Sequence, residues 1–274
     1  MNFITKTGTI FYSAATAGIA VQQMVYGDFC PIFFPAWPHP IPGYSILAYV
    51  FSLILIAASV YFITGKNARV PALLLGGLLL LMLFLGQVPS EYLVFPHKKT
   101  HLGVWELPLK ELAWAGGAFC IAGAHSQTVN NGKHSLIHFL EKLIPFGPAF
   151  FSTTMILFGV CHFLYTPGIA DMVPSWIPGH YFWAYFSAIA LISAGISIII
   201  RVWIKNSALL LGIMILLWFL FLHLPNAIQY PLVDRGNIVF SALSALAFSG
   251  IAFVISGEAN KNKHSSANEK NFRY

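Results

Sequence analysis

The side chains best suited to chemistry in this chain are two histidines, His162 and His223, each near the end of a long apolar run. An imidazole there can donate to a carbonyl such as that of a quinone, ligate haem iron or another metal, or bond the backbone at its own helix end. Two imidazoles alone do not close a zinc site, and no third Cys, His or Asp stands at a fixed spacing from them, so no metal is expected. A second polar group is Glu106, Lys110 and Glu111, where Glu106 and Lys110 are four apart in the order that favours an ion pair on a helix. Glu111 is left needing another partner, for which Gln23 and Gln87 are candidates. Asn226, close after His223, completes the set. Cys30, Cys120 and Cys161 form no C-x-x-C pair, so disulfide exchange lacks its usual arrangement and apolar packing is the simpler role for the latter two.

The elements that must hold these residues are set by composition. Hydrophobic residues make up 57% of the 274 and charged residues only 9%, against about 25% charged in a soluble domain. Runs such as 70–88 and 208–224 approach the roughly 20 apolar residues that cross a bilayer as a helix. No ten-residue alternation points to a barrel. The expectation is an all-α polytopic membrane protein with eight transmembrane helices, at 7–27, 43–64, 70–88, 105–124, 146–165, 181–201, 207–224 and 236–256. The net charge of +6 follows topology rather than a nucleic-acid-binding face. With the N-terminus inside, eleven Lys and Arg fall on inner segments and four (Lys98, Lys99, Lys110, Arg235) on the outer side. That bias places both termini in the cytoplasm. The segment from Gly257 reads as a disordered, solvated tail.

The chain also repeats itself. "VQQMVY" from Val21 matches "VCHFLY" from Val160 at a shift of 139, which carries Pro35-Ala36-Trp37 onto Pro174-Ser175-Trp176. After an extra Pro38-His39-Pro40 the shift becomes 136, pairing Ile41-Pro42-Gly43 with Ile177-Pro178-Gly179, "ALLLGG" from Ala72 with "ALLLGI" from Ala208, and Pro89 with Pro225. "LAWAGGAF" from Leu112 pairs with "LAFSGIAF" from Leu246. Residues 1–124 and 146–256 are therefore expected to be four-span units, joined by a polar cytoplasmic linker at 125–145 and followed by the tail at 257–274. Four spans per unit make the repeats parallel. Two four-helix bundles side by side are the expected form, with a shared eight-helix ring as the alternative. In this register Gln23 stands for His162 and Gln87 for His223. The proline-rich loops at 28–42 and 166–180, with Phe33, Phe34, Trp37 and Trp176, read either as interfacial anchors or as lids over the bundles.

"CHFLYTPGIADMVPSWIPGHYFW", "WFLFLHLPNAI" and "LSALAFSGIAF" resemble the DoxX-like family of bacterial integral membrane proteins, and both halves fit its four-span plan. The resemblance implies compact four-helix bundles in the bacterial cytoplasmic (inner) membrane, and an association with redox systems through a subunit linked to thiosulfate:quinone oxidoreductase. Members commonly carry a basic residue early in the first span and an acid in the fourth. Here the first span has Gln22 and Gln23, and acids within spans occur only in the fourth, as Glu106 and Glu111.

Three functions follow from these readings. An accessory subunit would dock a redox membrane partner or hold a quinone-like lipid near the outer face, with His162, His223, Gln23, Gln87, Glu111 and Asn226 as ligand-binding candidates. A quinone-linked oxidoreductase would use the two histidines with quinone or haem. A small-solute transporter would need polar groups at the bilayer midplane, whereas those here lie toward the outer ends.

Overall fold

A computed structural model describes residues 1–35, 42–94, 97, 101–125 and 135–271, with side chains at 135, 234 and from 260 onward left aside. Trp37, the Pro38-His39-Pro40 insertion, Lys98, Lys99 and Lys133 lie outside the described residues. Among the described residues there is no strand. The chain forms α1 (Phe3–Tyr26), α2 (Tyr44–Thr64), α3 (Arg69–Met82), α4 (Val88–Val94), α5 (Glu106–Ala124), α6 (Ser135–Glu141), α7 (Gly147–Leu164), α8 (Thr166–Met172), α9 (His180–Ile199), α10 (Ile204–Trp218), α11 (Leu224–Gln229) and α12 (Asn237–Asn271).

Six stretches are long and apolar enough to cross a membrane: Tyr44–Thr64, Arg69–Val94, Leu136–Leu164, His180–Ile199, Ile204–Gln229 and Asn237–Ala259. The other two expected spans, α1 and α5, are not among them. Other helices enclose α5, whereas α1 buries its polar face and leaves Ile10, Val21 and Val25 exposed. On α1 the buried hydroxyls of Thr9, Ser13 and Thr16 donate to carbonyls four residues back, at 2.7–2.9 Å, which satisfies them without water. On α5 buried residues run almost continuously from Pro108 to Ala124, the pattern of a helix enclosed on every side.

The packing order forms a closed circuit. α1 packs on α2, α2 on α3, α3 on α5, α5 on α7, α7 on α9, α9 on α10, α10 on α12, and α12 returns to α1, while α5 and α12 also meet across the middle. The first helix of each half thus packs on the last helix of the other half. Those two crossings use glycine pairs at equivalent positions: Gly8 meets Gly250, and Gly147 meets Gly116. Small residues allow such close backbone approach in membrane helices.

Other features recur at the sequence shifts. A β-carbon on Gly76 would meet the Phe119 ring at 3.0 Å, and one on Gly212 the Phe253 ring at 2.7 Å. Tyr12 lies 5.1 Å from Trp114 between ring centroids, and Phe151 lies 6.2 Å from Phe248. Left-handed backbone occurs at Gly43, Gly65 and Asn67, and again at Gly179, Arg201 and Trp203. A π-helical turn covers Leu83–Gln87 in one half and Phe219–His223 in the other. Pro89 and Pro225 explain the last pair. Proline cannot donate to the carbonyl four residues back and collides with it, and one extra residue in the preceding turn relieves the clash.

Two boundaries differ from expectation. From Ser135 the linker is helical, α6 packs on α3, and Leu140 is buried. Residues 257–271, expected to be unstructured, continue α12 to Asn271. No proline follows Gly257, and Ala, Glu and Lys favour helix. The start of this extension is also held: Asn2 Nδ2 donates to the Gly257 carbonyl at 2.7 Å and Thr5 Oγ1 to Glu258 at 3.2 Å.

Candidate ligand-binding site at the loop end

The ends of α1 and α7, the two π turns and the start of α5 bring the polar candidates to one end of the bundle, the end that carries the 28–35 segment. In the first half both glutamines act on that segment. Gln23 Oε1 accepts from the Cys30 N–H at 3.1 Å, while its Nε2 donates to Ser52 Oγ at 2.9 Å. Gln87 Nε2 donates to the Pro31 and Ile32 carbonyls, the second at 2.8 Å. The clasp draws Cys30, Ile32 and Phe33 into the core. Phe33, at 0% exposure, lies edge-on to Phe51 and Trp114 with centroids 5.5 and 5.6 Å away. This segment is a plug within the helices rather than an interfacial anchor. Burial pushes the Cys30 thiol well above its ordinary value.

In the second half the same register gives a different arrangement. The chain after α7 turns into α8, which buries Thr166 and Ala170, and Asp171 and Met172 are exposed where the plug has Ile32 and Phe33. Trp176 is 66% exposed and stands edge-on to Phe221 at 5.9 Å. His162 is half-buried, with Nδ1 2.8 Å from the Phe158 carbonyl of its own helix. His223 is half-buried and forms no hydrogen bond with the described residues. No hydrogen bond or ring contact joins the two imidazoles among the described residues. α7 packs chiefly on α9 and α5, whereas the turn bearing His223 packs on α12 and its flanking helices. Asn226 is exposed, and its backbone carbonyl accepts from the Tyr230 N–H at 2.9 Å.

Between the halves, Lys110 pairs with Glu106, its ammonium largely covered and the carboxylate more open. Its charge is within electrostatic reach of both Cys30 and His223. Glu111 is fully buried and neither carboxyl oxygen has a hydrogen-bond partner, so the sequence-based pairing with Gln23 or Gln87 is not formed. Both glutamine amide nitrogens are committed to Ser52 and to the loop carbonyls. Among the described residues no three His, Cys, Asp or Glu side chains gather as a metal site.

Sequence reasoning did not anticipate Ser52, Cys30 or Trp114 as parts of this region. Only the prolines at 89 and 225 signalled the widened turns that aim Gln87 and His223. No protein-family model, curated protein or solved structure matches the chain.

Proposed function

We propose that this is a multi-pass protein of the bacterial inner membrane, DoxX-like in plan, whose eight helices form two parallel repeats arising by tandem duplication. Its second half binds the headgroup of a quinone-like lipid near the outer face, and the whole acts as an accessory subunit to a redox partner. The contrast between Gln87 and His223 carries this reading. At the same point of the same π turn, one side chain is spent holding a plug and the other is left with no partner. A half-buried imidazole on the turn that also carries Phe221, whose ring meets Trp176, suits a ligand with a carbonyl acceptor and an apolar body. His162, tied to its helix through Nδ1, presents Nε2 as a second contact. The recurring glycine crossings and left-handed turns support the duplication. The six apolar stretches support the bilayer setting, with α1 and α5 as additional spans, α5 enclosed by other helices.

The test is mass spectrometry of lipids that copurify with the wild-type protein and with His223→Gln. That variant should fold, because Gln87 occupies the equivalent place, and should retain at least about tenfold less of the bound lipid, the loss of one buried hydrogen bond to a neutral acceptor. Equal retention by the two proteins, or no enriched lipid in the wild type, would remove this function.

A further inference from the structure

The first half contains a group of polar atoms that the lipid site does not use. Glu111 is at 0% exposure and both of its oxygens are unpartnered, as is Oε1 of Gln87, also at 0%. The orientation of the Gln87 amide follows from its Nε2 bonds to two carbonyls, which leaves Oε1 as the free acceptor. Trp114 Nε1 is a buried donor without an acceptor.

Three relations bring these atoms into one neighbourhood. Glu111 and Trp114 are three apart on α5 and share a face. The turn bearing Gln87 packs on α5. Phe33, next in the chain to the Ile32 carbonyl that Gln87 holds, lies against Trp114. Three acceptor oxygens and one donor thus belong to elements that pack around the plug, and buried groups of this kind carry a substantial cost when unsatisfied.

We propose that Glu111 and Gln87 bind a small monovalent cation, sodium or a proton, beneath the 28–35 segment. The charge count selects a single positive charge: one carboxylate, a neutral amide oxygen and the Trp114 N–H, which would serve an oxygen carried in with the ion. A divalent ion would call for more anionic oxygen than this face supplies. The surrounding titratable groups are already engaged elsewhere or do not donate to Glu111. Lys110 pairs with Glu106, Asp28 with Arg235, and the Tyr12 hydroxyl donates to the Trp114 carbonyl at 2.8 Å. Cys30 lies in the plug, Glu91 one turn beyond Gln87, and His223 across the second half. Irregular backbone beside a carboxyl is a recurrent way of holding such ions inside membrane proteins. Here the plug and the π turn supply it, and occupancy would be linked to how firmly the plug is seated.

The experiment uses the full-length protein in detergent. Its thermal midpoint is followed as sodium chloride replaces choline chloride at constant ionic strength, and then as pH is varied between 5 and 8 in choline chloride alone. A saturable shift with sodium of about 2–4 °C or more identifies sodium as the occupant. A shift with pH but none with sodium identifies a proton held on the Glu111 carboxyl as the occupant. Either response must disappear in Glu111→Gln and persist in Glu106→Gln. Should Glu111→Gln not fold, Glu111→Ala replaces it, because Ala245 stands at the equivalent place in the other half. Indifference to both ions, or a response unchanged in the Glu111 variant, overturns the proposal.

Discussion

A β-carbon on Gly250 would stand 2.6 Å from the Gly8 carbonyl oxygen, and at the equivalent crossing one on Gly116 would stand 2.7 Å from the Gly147 carbonyl oxygen. Backbone cannot yield as a flexible side chain can. Gly250→Ala and Gly147→Ala should therefore each destabilise the protein by about 1–3 kcal/mol, the usual cost of overpacking. Gly168→Ala, with nothing within 4 Å, should leave the thermal midpoint unchanged. Scanning fluorimetry of the three variants checks the contrast.

The plug can be probed through its cysteine. Cys161 is partly exposed while Cys30 and Cys120 are buried, so a membrane-permeant maleimide should modify Cys161 first. Burial raises the Cys30 thiol, which keeps it protonated at pH 8, and its alkylation should quicken as pH rises further. Gln87→Leu removes the bonds to Pro31 and Ile32 and should speed Cys30 labelling about tenfold, equivalent to roughly 1.4 kcal/mol of lost clasp. Unchanged labelling would show that Gln87 does not hold the plug.

Two arginines should differ in weight. Arg235 bonds Asp28 at 2.6 Å across the halves but is 70% exposed, so Arg235→Ala should cost less than about 1 kcal/mol. Arg69 reaches Glu141 at 2.9 Å and the Ala122 and His125 carbonyls, and both partners of the pair are mostly covered. Arg69→Ala should cost about 2 kcal/mol, as charge-assisted bonds are lost. Thermal midpoints of the two variants separate them.

The distribution of basic residues gives an expected orientation. Reporters fused after Lys66, after Lys133 and at the C-terminus should read cytoplasmic, and one at Gly168 should read external. An external reading at the C-terminus, with the reporters at Lys66 and Lys133 cytoplasmic, would mean that a span has been miscounted.

Helix class and approximate helix positions were legible because apolar runs of membrane length are hard to mistake for anything else. The centrality of α5 was not. Glu106 and Lys110 read as a salt bridge at a helix mouth and Glu111 as a deeper group needing a partner in Gln23 or Gln87, whereas Glu111 is covered completely and bonds neither. The repeat register marked positions 23, 87, 162 and 223 as hydrogen-bonding places, and the first three form such bonds while His223 forms none with the described residues. It could not say that the first pair would bond loop backbone, because that depends on Cys30 to Ile32 approaching from outside the helices. Nor could it reveal that His162 would bond the Phe158 carbonyl of its own helix while His223 forms no hydrogen bond with the described residues.

The reciprocal glycine crossings bear on ancestry. If the halves descend from one four-span unit, that unit could have covered Gly8-type and Gly250-type surfaces only against a second copy, with helix one of each subunit seated on helix four of the other. Such a parent is a symmetric homodimer. Joining the copies in one chain turns a dimerisation in the membrane plane into an intramolecular step at high effective concentration. It also releases the two subunits from sharing a sequence, so that one could keep glutamines at its plug while the other acquired histidines.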